Sequence, residues 1–276
     1  MTVRVGQALA HARSRGLSRL DAQALLSNRL QQPRAWLLAH DDEWIAARDW
    51  SDFQADVERR AAGEPVAYIV GQREFHGLML KVTSAVLVPR PETELLVDWG
   101  LQHLAFMEPT GARPAAIDLG TGSGAIALAV KFRRREVRML ATDRSAAALD
   151  VARANACAHG LEIEFAQGDW WSAAPGRTFD LALANPPYID AGDPHLQHLQ
   201  HEPIDALSPG KDGLTALSEL VQQAPAHLNR GAALLVEHGH DQADAVQGLF
   251  TRHGFHAITT LTDLAGLPRC TGGRWR

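Results

Sequence analysis

A short apolar run that breaks into alternating glycines and resumes as an apolar helix leaves a chain few folds to choose from. Ala115-Ala116-Ile117-Asp118-Leu119 reads as a buried strand. It runs into Gly120-Thr121-Gly122-Ser123-Gly124 and then into Ala125-Ile126-Ala127-Leu128-Ala129-Val130, a helix-like stretch. Strand, glycine turn and helix start together form a cradle in which backbone can approach a nucleotide-like ligand closely. The spacing is GxGxG rather than the GxGxxG of dinucleotide enzymes. By itself it is a weak signal, and the next strands give it weight. Val137 to Thr142 ends at Asp143, placed to accept hydrogen bonds from both hydroxyls of a ribose. Leu161 to Ala166 is followed by Asp169-Trp170.

The fourth strand of the series, Phe179 to Ala184, ends in Asn185-Pro186-Pro187-Tyr188. In open α/β sheets the carboxyl edge is where ligands bind. Asn185 offers a side-chain carbonyl that can accept from a planar NH2 group. Each proline biases the residue before it toward extended backbone, and neither carries an N–H, so the turn is stiff and presents carbonyls. Tyr188 offers an aromatic face. The group that suits this set is a planar nitrogen nucleophile, held by acceptors and stacked on a ring. Asn185, Pro186, Pro187 and Tyr188 are therefore the candidate catalytic and substrate-binding residues.

These strand ends resemble the class I S-adenosylmethionine-dependent methyltransferases, and the NPPY turn resembles the subgroup that methylates amino or amide nitrogens. Pro65-Val66-Ala67-Tyr68-Ile69-Val70-Gly71, Glu74-Phe75-His76-Gly77 and Val86-Leu87-Val88-Pro89-Arg90-Pro91-Glu92-Thr93-Glu94 narrow the likeness. With the GTGSG loop and NPPY, they resemble the peptide chain release factor glutamine N5-methyltransferases from about Glu64 onward. The resemblance implies methyl transfer from S-adenosyl-L-methionine to the glutamine of the Gly-Gly-Gln loop of class 1 release factors. It implies a Rossmann-like seven-stranded α/β domain behind a small N-terminal helical bundle and a β-hairpin linker. It also implies cofactor contacts from Gly120, Thr121, Gly122, Ser123, Gly124, Asp143, Trp170 and Asn185, with Trp170 near the adenine. A related family methylates a large-subunit ribosomal protein; there the Pro-Arg stretch continues differently, so Pro91-Glu92-Thr93-Glu94 favours the release-factor enzyme.

Composition narrows the alternatives. A DNA adenine N6-methyltransferase also needs an acceptor for a planar NH2, but it must flip its base and grip phosphates. A formal net charge of -5 over 276 residues tilts against a nucleic-acid partner. A non-catalytic binding module on the same fold would not be expected to keep GTGSG, Asp143 and NPPY together. The 2 cysteines, Cys157 and Cys270, show no CxxC spacing, so a disulfide framework and a zinc site are both disfavoured. Met1-Thr2-Val3-Arg4 opens no signal-peptide pattern and no run of eighteen apolar residues follows, so the expectation is a cytoplasmic protein without membrane contact.

The chain divides into an expected helical domain over 1–63, a hairpin linker over 64–90 and a methyltransferase domain over 91–276. In the first, Leu9, Leu17, Leu20, Leu25, Leu26, Leu30, Leu37 and Leu38 recur at helical spacing. Asp21 and Asp41 are the expected caps and Pro33 an expected helix start. Acidic and basic residues balance there. That leaves two readings, a recognition surface for a protein substrate or a stabilising cap. Apolar residues alternate around His76-Gly77 as in a hairpin. After Pro89-Arg90-Pro91, Glu92 and Glu94 suit a helix dipole, and the resemblance places this loop beside the cofactor. Gly231 to Glu237, Phe255 to Leu261 and the Gly273-Arg274-Trp275 tail are the expected last strands.

The polar stretch Asp190 to Asp212 reads as a loop over the sheet edge, a candidate lid. His195, His198 and His201, spaced by three, look like metal ligands; a solvated loop is the simpler reading, and no metal is expected. Glu237-His238-Gly239-His240-Asp241 has the same two readings, ligand cluster or polar strand end. Trp171 belongs to the core.

Overall fold

The computed structural model describes residues 3–107, 113–210 and 212–276. The chain forms two units, Met1–Gln72 and Arg73–Arg276. In the first, β1 (Val3–Arg4) leads into α1 (Val5–Ser14), α2 (Arg19–Leu30) and α3 (Arg34–Ala39); β2 (Trp44–Ile45), α4 (Ala47–Ala61) and α5 (Val66–Val70) complete it. Leu17, Leu25, Leu26 and Leu37 are buried with Val5, Phe53 and Val57, as their spacing requires. Leu20 and Leu38 instead face solvent. Pro33 is the N-cap of α3. Asp21 is not a cap: the Ser18 hydroxyl accepts from the Asp21 N–H at 3.1 Å, leaving Asp21 in the first turn of α2, where its charge suits the dipole. Asp41 caps no helix either; its backbone carbonyl accepts from Gly6 N–H at 2.7 Å.

The expected linker over 64–90 does not form a separate part. Its first residues are helical, as α5, and group with the helical unit. The hairpin then pairs β3 (Gln72–Phe75) with β4 (Leu78–Lys81) across His76 and Gly77, both at positive φ. Phe75, Leu78 and Leu80 drop into the core of the second unit. The Asn155 side chain fixes β4 by accepting from Lys81 N–H and donating to its carbonyl.

The second unit continues with α6 (Glu94–Phe106), β5 (Ala115–Leu119), α7 (Ala125–Arg133), β6 (Arg138–Asp143), α8 (Ala146–Ala158), β7 (Glu164–Gln167) and β8 (Phe179–Ala184). Then follow α9 (Thr215–Gln223), β9 (Leu228–Glu237), α10 (Ala243–Arg252), β10 (His256–Thr262) and β11 (Pro268–Arg274). Seven strands form one sheet in the order β10-β11-β9-β8-β5-β6-β7. The five from β5 to β9 are parallel, and β11 runs antiparallel between β9 and β10. Alternation along β8 sends Leu181 and Leu183 into one core with α6 and α7, and Ala182 and Ala184 into the other with α9 and α10. This is the expected Rossmann-like seven-stranded sheet, preceded in the chain by the expected helical bundle.

The strand order reverses between β5 and β8. The crevice beyond the carboxyl ends at such a switch point is the general ligand site of open α/β sheets. Among the described residues no helix is long and apolar enough to cross a membrane.

The last strand is longer than the expected 273–275 tail. Pro268 to Arg274 lacks the β-branched, alternating pattern of a strand, yet it pairs on both sides. Gly272 explains why: a Cβ there would meet Leu235 Cδ2 at 2.4 Å and Trp99 at 2.7 Å. The residue that weakens the strand signal is the one that lets the strand pack.

Candidate active site

A cavity of about 600 Å³ opens at the carboxyl edge beside the switch point. The glycine loop after β5, the ends of β6 and β8, the turn before α6 and the loop after Ile189 all line it.

Gly120, Thr121, Gly122 and Ser123 form its floor. Gly120, Gly122 and Gly124 all have positive φ, which residues with a side chain rarely adopt. Gly122 would meet nothing within 4 Å if it carried a Cβ, so the backbone there is open to a ligand. Gly124 is the N-cap of α7 and is not among the residues lining the cavity; a Cβ there would meet Leu128 Cδ1 at 2.4 Å and Ala152 Cβ at 3.2 Å. Asp118, wholly buried, pins the loop: its Oδ2 accepts from Thr121 Oγ1 at 2.6 Å and from Ala127 N–H at 3.1 Å. Its Oδ1 has no hydrogen-bond partner among the described residues, and burial pushes the carboxyl up to about 7.

Asp143 reaches the cavity at the end of β6. Its carboxylate accepts from Gly122 N–H and from Ser145 N–H, each at 2.9 Å. One further lone pair per oxygen remains for a ligand's hydroxyls. Trp170 sits at positive φ with its ring against Gly120, 3.0 Å from where a Cβ would stand, and forms part of the wall. Trp171 is core: it is buried, donates from Nε1 to Leu220 O at 2.9 Å and stacks on His227.

The NPPY turn divides into two parts. Asn185 and Pro187 line the cavity, whereas Pro186 is buried beneath them. Tyr188, expected to stack on a substrate, is not among the residues lining the cavity. Its ring packs against the apolar core on the α9 and α10 face, and its hydroxyl donates to Glu237 Oε1 at 3.2 Å. Burial, then the Glu237 charge, raises the phenol's pKa, so it remains a donor.

Three further buried residues, to which the sequence reading gave no role at the site, lie around it. Thr93, buried in the turn before α6, accepts from Asn185 Nδ2 at 3.1 Å. Glu237, at the end of β9, is 1% exposed. Burial pushes its carboxyl up to about 7, while the hydroxyls of Thr93 and Tyr188 act to lower it. Glu237 already stood out as a polar residue at a strand end, but nothing in the sequence paired it with Thr93 across the sheet. The third is Glu202. Buried in the loop over the cavity, it accepts from Val88 N–H at 3.0 Å and Arg90 Nη2 at 2.5 Å. Pro203, Asp205, Ala206 and Ser208 of the same loop line the cavity, and Arg144 pairs with Asp205 at 2.9 Å. The loop expected to be a candidate lid is held at Glu202 and at Asp205. Glu94 ties the other wall, its Oε1 accepting from His76 N–H at 2.9 Å.

The His195 and His198 side chains lie outside the described residues. Among the described residues no group of histidines, cysteines and carboxylates is arranged to hold a metal ion.

The cavity brings the glycine loop, Asp143 and Asn185 together at one edge of the sheet. Known proteins show what the whole chain is similar to. Residues 4–71 match the PrmC N-terminal domain family, and residues 94–255 match the Methyltransferase small domain family. A Xylella fastidiosa (strain Temecula1 / ATCC 700964) protein named release factor glutamine methyltransferase is 49% identical, over 97% of this chain and 97% of its own length. A protein of the same name from Coxiella burnetii (strain RSA 493 / Nine Mile phase I) is 45% identical, over 91% of this chain and 90% of its own. Among solved structures, the T. thermophilus 16S rRNA N2 G1207 methyltransferase, determined with AdoMet and guanosine, shares the fold. It is 19% identical, with a TM-score of 0.53 over 74% of this chain and 50% of that one.

Proposed function

This chain belongs to the release factor glutamine methyltransferase family, and we propose that it methylates the side-chain amide nitrogen, N5, of the glutamine in the Gly-Gly-Gln motif of class 1 peptide chain release factors. The reading rests on one observation above the others. Asn185 stands at the cavity wall with its NH2 engaged by Thr93, which leaves its Oδ1 as an acceptor for a planar amide.

The residues present fit S-adenosyl-L-methionine as the methyl donor. Open backbone at Gly122 admits a ligand closely, Asp143 keeps free lone pairs for ribose hydroxyls, and Trp170 gives an aromatic wall. When bound, that cofactor supplies a methyl group made electrophilic by a sulfonium.

The chain's own task is the nucleophile. An amide nitrogen donates poorly because its lone pair is delocalised into the carbonyl. Asn185 Oδ1 and the backbone carbonyl of Pro186 accept its two N–H bonds, hold it in one orientation and raise the electron density on nitrogen. Orientation of this kind contributes up to about 7–11 kcal/mol in ideal cases. The tied-down loop over the cavity limits water at the reacting atoms. The Met1–Gln72 unit is assigned the recognition of the protein substrate, and the compartment assigned is the cytoplasm, where release factors act.

Incubation with methyl-labelled S-adenosylmethionine tests the reading. Label is expected on an intact release factor and not on one whose Gly-Gly-Gln glutamine is replaced. Label on ribosomal protein or duplex DNA instead would keep the fold and overturn the substrate.

A further inference from the structure

We propose that Glu202 is a positioning residue whose buried carboxylate clasps the loop after the NPPY turn to the segment ahead of α6, and that this clasp sets how long the cavity keeps its cofactor. This rests on the cavity being the S-adenosylmethionine site, as given above, and adds what holds it closed.

The loop is a closed excursion from the end of β8. Ile189 N–H donates to Leu207 O at 2.9 Å, and Ala191 N–H donates to Gly210 O at 3.1 Å. These bonds draw the two ends of the loop together, and they leave the position of its middle unspecified. The middle supplies Pro203, Asp205 and Ala206 to the cavity wall. Another stretch of wall comes from Pro89 and Arg90. Glu202 directly precedes the first stretch and Val88 directly precedes the second.

One carboxylate joins the two. Glu202 Oε2 accepts from Val88 N–H at 3.0 Å, and Oε1 accepts from Arg90 Nη2 at 2.5 Å. Each oxygen thus carries one bond across a gap of more than a hundred residues in sequence. The loop's other tie, Arg144 to Asp205 at 2.9 Å, joins side chains that are 55% and 76% exposed. Exposed pairs of that kind contribute little. The Glu202 side chain is 2% exposed, so water does not stand in for a lost partner while the loop is down. Val88 N–H is buried as well and needs its acceptor. Lifting the loop parts Glu202 from both donors at once. Its middle is therefore held chiefly by this charge-assisted pair of bonds, and the wall residues beside it move with it.

Glutamine at 202 keeps the shape and loses the clasp. Its oxygen still accepts from one donor, but its NH2 meets the other, donor against donor. In the full-length protein, a chase of labelled S-adenosylmethionine with unlabelled cofactor reads the dissociation rate. Glu202→Gln is expected to raise that rate at least fivefold. A smaller increase would overturn the proposal.

Amide hydrogen exchange without cofactor separates a clasp from a general support of the fold. In Glu202→Gln, Val88 and the turn amides Ala206, Leu207 and Ser208 are expected to exchange at least tenfold faster together, with β5, β6 and β8 unchanged. Protection lost throughout the sheet would make Glu202 a support of the whole unit and overturn the proposal. Arg90→Gln breaks the same clasp from its more exposed side, so it serves if Glu202→Gln does not fold. It is expected to speed exchange at Ala206 to Ser208, and unchanged exchange there would overturn the clasp. A parent protein that binds no S-adenosylmethionine would defeat the reading of the cavity alone, since exchange without cofactor reads the clasp directly.

Discussion

At the scale of single residues, the proposed function separates binding from chemistry. It assigns Asn185 to the acceptor amide, so Asn185→Ala is expected to lower kcat about 10²-fold, the cost typical of one lost interaction at a reacting atom, with cofactor affinity nearly unchanged. It assigns Asp143 to the cofactor, so Asp143→Ala is expected to weaken its binding by about 1.5–3 kcal/mol, read by calorimetry. Glu237 carries a cost in stability. Its carboxyl rises from 4.5 unfolded to about 7 folded, with burial the largest cause. Between those values the folded state holds more protons, so the stability tied to this group is full below pH 4.5 and is lost as pH rises through 7. Urea unfolding of Glu237→Gln and the parent at pH 4 and pH 8 is expected to show the variant's relative stability rising by about 3 kcal/mol at the higher pH. Asp118 contributes to the parent with the same sign. Asn185 and Asp143 were legible in the sequence because each closes a strand, where position alone marks them. Thr93 was not, since a threonine between two glutamates in a first turn looks like an ordinary helix start.

At the scale of elements, apolar runs placed β5, β6, β8 and β9 closely, because parallel strands buried on both faces leave continuous hydrophobic segments. β7 begins at Glu164 rather than at the expected Leu161, and all of its residues are at least partly exposed, as befits an edge. The stretch before the hairpin is helical for a local reason: Val66–Val70 is apolar, and Pro65 ahead of it and Gly71 in the left-handed region behind it bound a single helical turn. β11 shows the limit most clearly, since its glycines answer to neighbours rather than to propensity. Gly272→Ala is expected to cost about 1–3 kcal/mol in urea unfolding, the usual penalty of overpacking, because the new methyl meets Leu235, Trp99 and the Leu234 carbonyl.

At the scale of the whole molecule, the helical and the α/β characters of the two units are readable in their residues, whereas the border between them is not. The border at Gln72 was hidden because α5 is short and the hairpin follows without a break. The helical unit exposes Leu20, Leu38 and Trp44. If it recognises the release factor as assigned, Leu20→Ser with Leu38→Ser should raise KM for the intact factor about tenfold, a loss near 1.4 kcal/mol, and leave cofactor affinity unchanged. The catalytic unit has its own asymmetry. β10 reaches the sheet only through β11, so it has no partner until β11 is in place. The two are neighbours in the chain, and a hairpin of that kind closes in about 1–10 μs. The pair is therefore expected to join the sheet and to leave it as one ribbon. Amide hydrogen exchange should find β10 and β11 opening together in a single cooperative unit, distinct from the parallel strands that carry the site.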